Sequence, residues 1–241
     1  MQVMPVLEIH NLCFRFSSNA PWFFNNLSLA FSPGTIHFVR GNNGIGKSTL
    51  FRIMRGVFGP SEQVGGSIVL DGIVVSLSKE QHNNLNALSD SIKMVQQKFD
   101  TMLADKLSFA HNLQMVSCAR YPGLARLPKI TTMPHMLERF LADTADKPVS
   151  LLSGGQRQIL AILMVLQKPT KILLLDEPTA ALDHDNATMV MTFLQELVRT
   201  LGLTVLIICH DRELVLTYAP HGYFELQLDA ATMCRTVVYK N

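Results

Sequence analysis

Gly41-Asn42-Asn43-Gly44-Ile45-Gly46-Lys47-Ser48-Thr49 is the stretch that decides the fold. Upstream, residues 35–40 read as a buried strand; downstream, 48–57 read as a helix. A GxxxxGK[ST] loop between a strand and a helix is a phosphate cradle. Its glycines let backbone N–H groups turn inward around phosphate oxygens, and the helix presents its positive N-terminal end to the same anion. Lys47 adds a point charge at the β- and γ-phosphates, and the Ser48 hydroxyl is a ligand for Mg²⁺. Asn42, Asn43, Gly44, Gly46 and Thr49 complete the candidate contacts. The plainer alternative is a glycine-rich turn with a solvated lysine, and the flanking strand and helix weigh against it.

Working outward, short β-type stretches open the chain at 6–9, 12–16 and 27–31. The Gly59-Pro60 and Gly65-Gly66 pairs punctuate the next connection. Residues 67–70 and 92–95 are further strand candidates. From 98 to 149 the pattern changes to helical stretches, 106–120 and 133–143, split by Tyr121-Pro122-Gly123. After that lobe, strand and helix alternate. Residues 171–175 are apolar and unbroken, as a strand covered on both faces requires. Residues 185–201 place Val190, Phe193, Leu194, Leu197 and Val198 on one helix face, with Gly202 as the stop. Residues 204–209 read as another buried strand. The expectation is an α/β fold: a mainly parallel sheet with helices on both faces.

Two further motifs carry chemistry. Ile172-Leu173-Leu174-Leu175-Asp176-Glu177 is an apolar strand that delivers carboxylates to its C-terminal edge, where ligands sit in open α/β sheets. Asp176 is placed to hold Mg²⁺, and Glu177 to polarise an attacking water. Two acids after a strand could also simply cap a helix. Leu152-Ser153-Gly154-Gly155-Gln156 opens a helix with free N–H groups and a hydroxyl, again an anion-binding geometry. One nucleotide hardly needs two cradles from one chain, so a second chain supplying the second cradle explains the pair.

The bulk numbers fit. The 241 residues suit one large domain, or one domain with a built-in lobe. They are 48% hydrophobic and 17% charged, so much of the chain is interior or interface. A net charge of +2 without a Lys/Arg run gives no nucleic-acid footprint. Cys13, Cys118, Cys209 and Cys234 form no CxxC pair, and the eight histidines show no zinc spacing, so reduced thiols are expected. The opening residues lack a signal-peptide pattern. No apolar run approaches the roughly 20 residues of a membrane span. A soluble chain is expected, with any membrane role acting through partners.

With these residues in hand, the sequence resembles the nucleotide-binding domain of ABC transporters over nearly its whole length. Leu152 to Gln156 spell the family's LSGGQ signature, between the phosphate loop and the acidic strand as the family has it. In Met94-Val95-Gln96-Gln97-Lys98, Gln97 resembles the Q-loop glutamine, which also reaches the metal; Gln96 competes and the spacing favours Gln97. Ala181-Leu182-Asp183 resembles the D-loop, and His210 the switch histidine. Phe16 stands where the family stacks an aromatic on adenine, with Phe14 the plainer core residue. Phe16 replaces the commoner Tyr, and Ile159 and Met164 stand where many members carry arginines.

The resemblance implies a RecA-like P-loop NTPase core with an antiparallel β subdomain (1–97 and 151–241) and an inserted α-helical lobe (98–150). It implies ATP and Mg²⁺, catalysis by Glu177, His210 and Gln97, and a second ATP-binding subunit in a homodimer that sandwiches two ATPs. It implies integral membrane permease subunits, an extracytoplasmic substrate-binding protein, and a peripheral place on the cytoplasmic face of the membrane. Asp146-Lys147-Pro148-Val149-Ser150-Leu151 lacks the exporter-type Gly-Glu-Arg-Gly pattern, which favours an importer. The runs 160–166 and 179–183 are similar to a subgroup serving amino-acid-type uptake.

Overall fold

A computed structural model describes residues 4–78, 85–117, 140, 142–219 and 222–240. The anticipated helix 133–143 and the break at 121–123 fall largely or wholly outside those residues, as does Cys118.

The described strands form one ten-stranded sheet in the order β5-β4-β1-β2-β10-β9-β3-β8-β7-β6. One end is antiparallel: β1 (Leu7–Arg15) lies between β2 (Phe24–Phe31) and β4 (Gln63–Leu70), and β5 (Ile73–Ser76) forms the edge. The other end is parallel: β3 (Ile36–Arg40), β8 (Thr204–Ile208), β7 (Ile172–Asp176) and β6 (Ile92–Val95). The hairpin of β9 (Tyr223–Leu228) and β10 (Arg235–Lys240) joins them, β9 running parallel to β3 and β10 meeting β2 at Arg235–Phe24.

The unbroken apolar reading of β7 has its reason in the packing. Leu173 and Leu175 enter one core layer, Ile172 and Leu174 the other. Val205 and Ile207 of β8 face the first layer, Leu206 and Ile208 the second. On the first face pack α4 (Gly154–Leu166) and α5 (His184–Leu201), through residues such as Leu160, Leu163, Val190 and Leu194. On the second pack α1 (Lys47–Met54) and α2 (Leu85–Ser91), through Leu50, Phe51, Met54 and Leu88. Ile159 and Met164 are buried in the first layer, so the apolar character of α4 is core.

Several expectations change. The stretches 6–9 and 12–16 are one strand, β1, interrupted by a register shift where Asn11 takes φ 52°. Gly65-Gly66 does not punctuate a loop but lies inside β4. Gly66 has φ 98°, and a Cβ there would stand 2.6 Å from the carbonyl oxygens of His10 and Asn11. The glycine is what lets β4 follow the irregular part of β1. The stretch expected as a helix over 106–120 gives α3 (Phe109–Ser117), held by buried Asn112, whose side chain bonds the backbone of Ala104 and Ser108. No sequence expectation covered β5, α2, the two strands of the β9–β10 hairpin or α6 (Arg212–Tyr218).

Candidate functional site

The C-terminal ends of β3, β7 and β8 converge on one edge of the parallel sheet. At the end of β3 the chain turns through Gly41, Gly44 and Gly46, all at positive φ. A Cβ on Gly41 would lie 2.7 Å from the Leu226 carbonyl oxygen, and one on Gly46 would overlap the Phe23 ring. These glycines are therefore required by the loop's own packing as well as by its curvature. Asn42, Asn43 and Gly44 are exposed, Gly46 and Thr49 half-buried, and Ser48 is exposed in the first turn of α1.

Lys47 is 6% exposed, and its ammonium donates to the carbonyls of Gly41 (2.9 Å) and Asn42 (3.1 Å). It thus spans its own loop from within. Burial lowers its pKa, while the carboxylates of Glu177 and Asp176 pull the other way. Burial raises the Asp176 carboxyl, and a hydrogen bond with the Ser48 hydroxyl opposes that rise. A carboxylate and a hydroxyl facing each other beside a phosphate loop are hard oxygen donors. They fit Mg²⁺, which typically takes one or two carboxylates and completes its shell with phosphate and water.

Glu177 follows directly after β7 with φ 52°, a strained backbone for a non-glycine residue. Its N–H donates to the Ile208 carbonyl (3.1 Å), which ties the turn to β8. Its carboxylate is held from both sides: Gln97 Nε2 donates to Oε2 at 2.9 Å, and His210 Nε2 lies 2.8 Å from Oε1. Of the two adjacent glutamines, Gln97 makes this contact. Arg40 Nη2 donates to the His210 carbonyl at 3.4 Å and its guanidinium lies over Tyr223. A cleft of about 620 Å³ beside Glu177 and His210 is lined by Thr179, Leu182 and Cys209, among others.

Phe16 is 44% exposed, in edge-to-face contact with Phe14 and Phe23, whose ring centroids each lie 5.0 Å from its own; Phe14 is fully buried. Phe14 is core, and Phe16 keeps an accessible ring above Phe23, which itself lies against Gly46.

Ser153 caps α4 with a full capping box: the Gln156 N–H donates to the Ser153 hydroxyl, and the Ser153 N–H to Gln156 Oε1 at 3.0 Å. Asp183 caps α5 through the Asn186 N–H at 2.8 Å, and these bonds hold its carboxyl below the ordinary range. The N–H groups expected to be free at the start of α4 are partly used. Gln156 N–H goes to Ser153 and Gly155 N–H to Asn186 Oδ1 at 3.3 Å. None of these bonds reaches the phosphate loop of the same chain. Asn186 is the residue here that the sequence reading left out. An Asp-x-x-Asn pattern at a helix start hints at the cap but not at Ser153, which lies 33 residues away.

The family model of the ABC transporter matches residues 24–180. The chain belongs to the ABC transporter family. A methionine import ATP-binding protein, MetN, of Wolinella succinogenes is 32% identical over 200 residues, covering 83% of this chain and 63% of that protein. A spermidine/putrescine import ATP-binding protein, PotA, of Mannheimia succiniciproducens is 30% identical over 218 residues, covering 90% and 54%. The chain spans from about a third to under two thirds of the length of the first such relatives. The cbiO1 structure from Clostridium perfringens, part of the ABC transporter complex cbiONQ, superposes with a TM-score of 0.74 at 26% identity. That match covers 99% of this ABC chain and 89% of the other. The fold is the α/β P-loop NTPase fold of ABC ATPase domains.

Proposed function

We propose that this ABC chain is the ATP-binding and ATP-hydrolysing subunit that powers a membrane importer, acting as a pair of like chains. The observation that carries the reading is Glu177, clamped between Gln97 and His210 next to Asp176 and Lys47. In this reading the loop from Asn42 to Thr49 cradles the phosphates, and Lys47 leaves its two carbonyls to meet the β- and γ-oxygens. The Phe16 ring takes the adenine. Ser48 and Asp176 would hold Mg²⁺, with Gln97 beside them. Magnesium would supply charge neutralisation on the β- and γ-phosphates. Glu177 orients or deprotonates the attacking water, and His210 keeps it in register with the γ-phosphate.

Ser153, Gly154, Gly155 and Gln156 serve the nucleotide of the partner chain, with Asp183 at the seam. That none of their bonds turns toward their own phosphate loop supports this. Residues 98–150 form the lobe that meets integral permease subunits, with 1–97 and 151–241 as the core. No described helix is long and apolar enough to cross a membrane, in keeping with a peripheral place on the cytoplasmic face. The import names of the methionine and spermidine/putrescine relatives support the direction. An amino-acid-type cargo, delivered by an extracytoplasmic binding protein, is the finer proposal; the methionine relative supports it and the polyamine relative does not.

Lys47→Ala tests the foundation. Calorimetry should find Mg-ATP binding largely lost; near-normal affinity would sink the phosphate-loop assignment. Co-purification of the tagged full chain with an integral membrane protein tests the transport reading. Recovery only with nucleic acid contradicts it.

A further inference from the structure

Asn186 lies in the first turn of α5, three residues past its cap Asp183. Its carboxamide nitrogen donates to both oxygens of Asp183, each at 2.9 Å. A carboxylate only accepts, so the amide can point only one way: Nδ2 toward Asp183, Oδ1 away from it. That oxygen accepts the Ser153 hydroxyl at 2.7 Å and the Gly155 N–H at 3.3 Å. Ser153 has one hydroxyl proton, and this bond uses it. Its other contact, from the Gln156 N–H at 3.3 Å, engages the oxygen as acceptor. Two donors suited to an anion at the start of α4 are therefore both aimed at one neutral oxygen of their own chain.

We propose that Asn186 is a positioning residue whose amide oxygen stands in for a phosphate oxygen in the lone chain, holding the Ser153 and Gly155 donors until the partner chain's ATP takes them. The proposal rests on the reading that Ser153 meets nucleotide across the pair. Charged acceptors bind a donor roughly twice as strongly as neutral ones. The exchange from amide to phosphate is therefore favourable, and the amide bond sets the threshold that ATP must overcome. Asp183 fixes the amide, so the loop leading from Glu177 to α5 determines where that acceptor stands. Packing agrees. A Cβ on Gly155 would lie 2.7 Å from Asn186 Oδ1, and one on Gly154 2.7 Å from Leu182 Cδ2. Gly155 is the glycine that allows this close approach, since its Cβ would also stand 3.1 Å from the Asn186 backbone oxygen.

The test uses the full chain carrying Glu177→Gln, with Mg-ATP, and reads the dimer dissociation constant by sedimentation. Asn186→Ala keeps the backbone N–H that Asp183 caps, so α5 retains its start, and a melting curve checks this. A neutral hydrogen bond is worth a factor of roughly 2 to 10. It breaks twice per pair, so Asn186→Ala should tighten the dimer by roughly 4- to 100-fold. Asn186→Asp replaces the oxygen with a charged, stronger acceptor that also repels phosphate, and should weaken it. In a Ser153→Ala background the tightening by Asn186→Ala should shrink. A purely structural Asn186 would give the opposite sign, with Asn186→Ala weakening the dimer. That result, no change, or equal effects of Ala and Asp overturns the proposal alone, provided Ser153→Arg still blocks ATP-driven pairing. If Ser153→Arg pairs normally, the cross-pair reading fails and takes the proposal with it.

Discussion

Glu177 holds a backbone conformation that costs a non-glycine residue of order 1–3 kcal/mol, and three bonds keep it there: Ile208 on the backbone, Gln97 and His210 on the carboxylate. Such strain has to be maintained by its surroundings, and here β8 and the two side chains maintain it. Cys209, one residue before His210, shows the same crowding. It is 3% exposed, and burial pushes its thiol above the ordinary value. Less thiolate means slower alkylation. In the native chain at mildly alkaline pH, iodoacetamide with peptide mass spectrometry should label half-buried Cys13 well before Cys209. Rapid labelling of Cys209 would show that the end of β8 is more open than described. At this scale the sequence is most legible where neighbours in space are neighbours in the chain. Lys47, Ser48, Asp176 and Glu177 stand out because one loop and one strand end carry them. The link from Asn186 to Ser153 was hidden because two helices fold over to make it.

Among the elements, the unbroken apolar runs of β7 and β8 announce strands covered on both faces, and the two core layers account for each residue in turn. The helix α5 was legible for a related reason: a long face of Val190, Phe193, Leu194 and Leu197, with Gly202 as its stop, while the cap at Asp183 emerged only from the structure. The elements that escaped notice lack such patterns. Helices α2 and α6 have seven residues each, too few to show a period, and β5 has four. The β9–β10 hairpin does carry strand formers, Phe224, Thr236, Val237 and Val238 among them, but only Leu226 is fully buried, so its sequence shows no clean apolar alternation. Gly65-Gly66 misled because a glycine pair reads as a turn, whereas here it accommodates the irregularity of β1. Gly66→Ala therefore tests the β1–β4 pairing. Its φ of 98° and the two carbonyl oxygens at 2.6 Å leave no room for a methyl group, and the atoms met are backbone. Denaturant unfolding should show a loss of more than about 1 kcal/mol. Gly65→Ala, with nothing near its Cβ and no positive φ, should cost less. Equal effects would mean that the irregularity does not depend on Gly66.

Over the whole molecule, one sheet carries both the antiparallel strands and the parallel core, joined through β9 and β10. The phosphate loop, the Asp176–Glu177 edge and His210 lie together at the ends of adjacent parallel strands, while Ser153 and its neighbours bond to α5 instead. The proposed pairing accounts for this arrangement, since the second cradle would then serve the nucleotide of the other chain. The claim that Glu177 drives hydrolysis within such a pair is tested most directly by Glu177→Gln. The change keeps the side chain's shape and its reach toward Gln97 and His210 but removes the charge. A positioned general base contributes about 10²- to 10⁴-fold. ATP turnover should fall by that order while Mg-ATP still binds, and an ATP-bound dimer should accumulate on a sizing column. Turnover within about threefold of the parent, well under the general-base range, with no trapped dimer, would contradict the account.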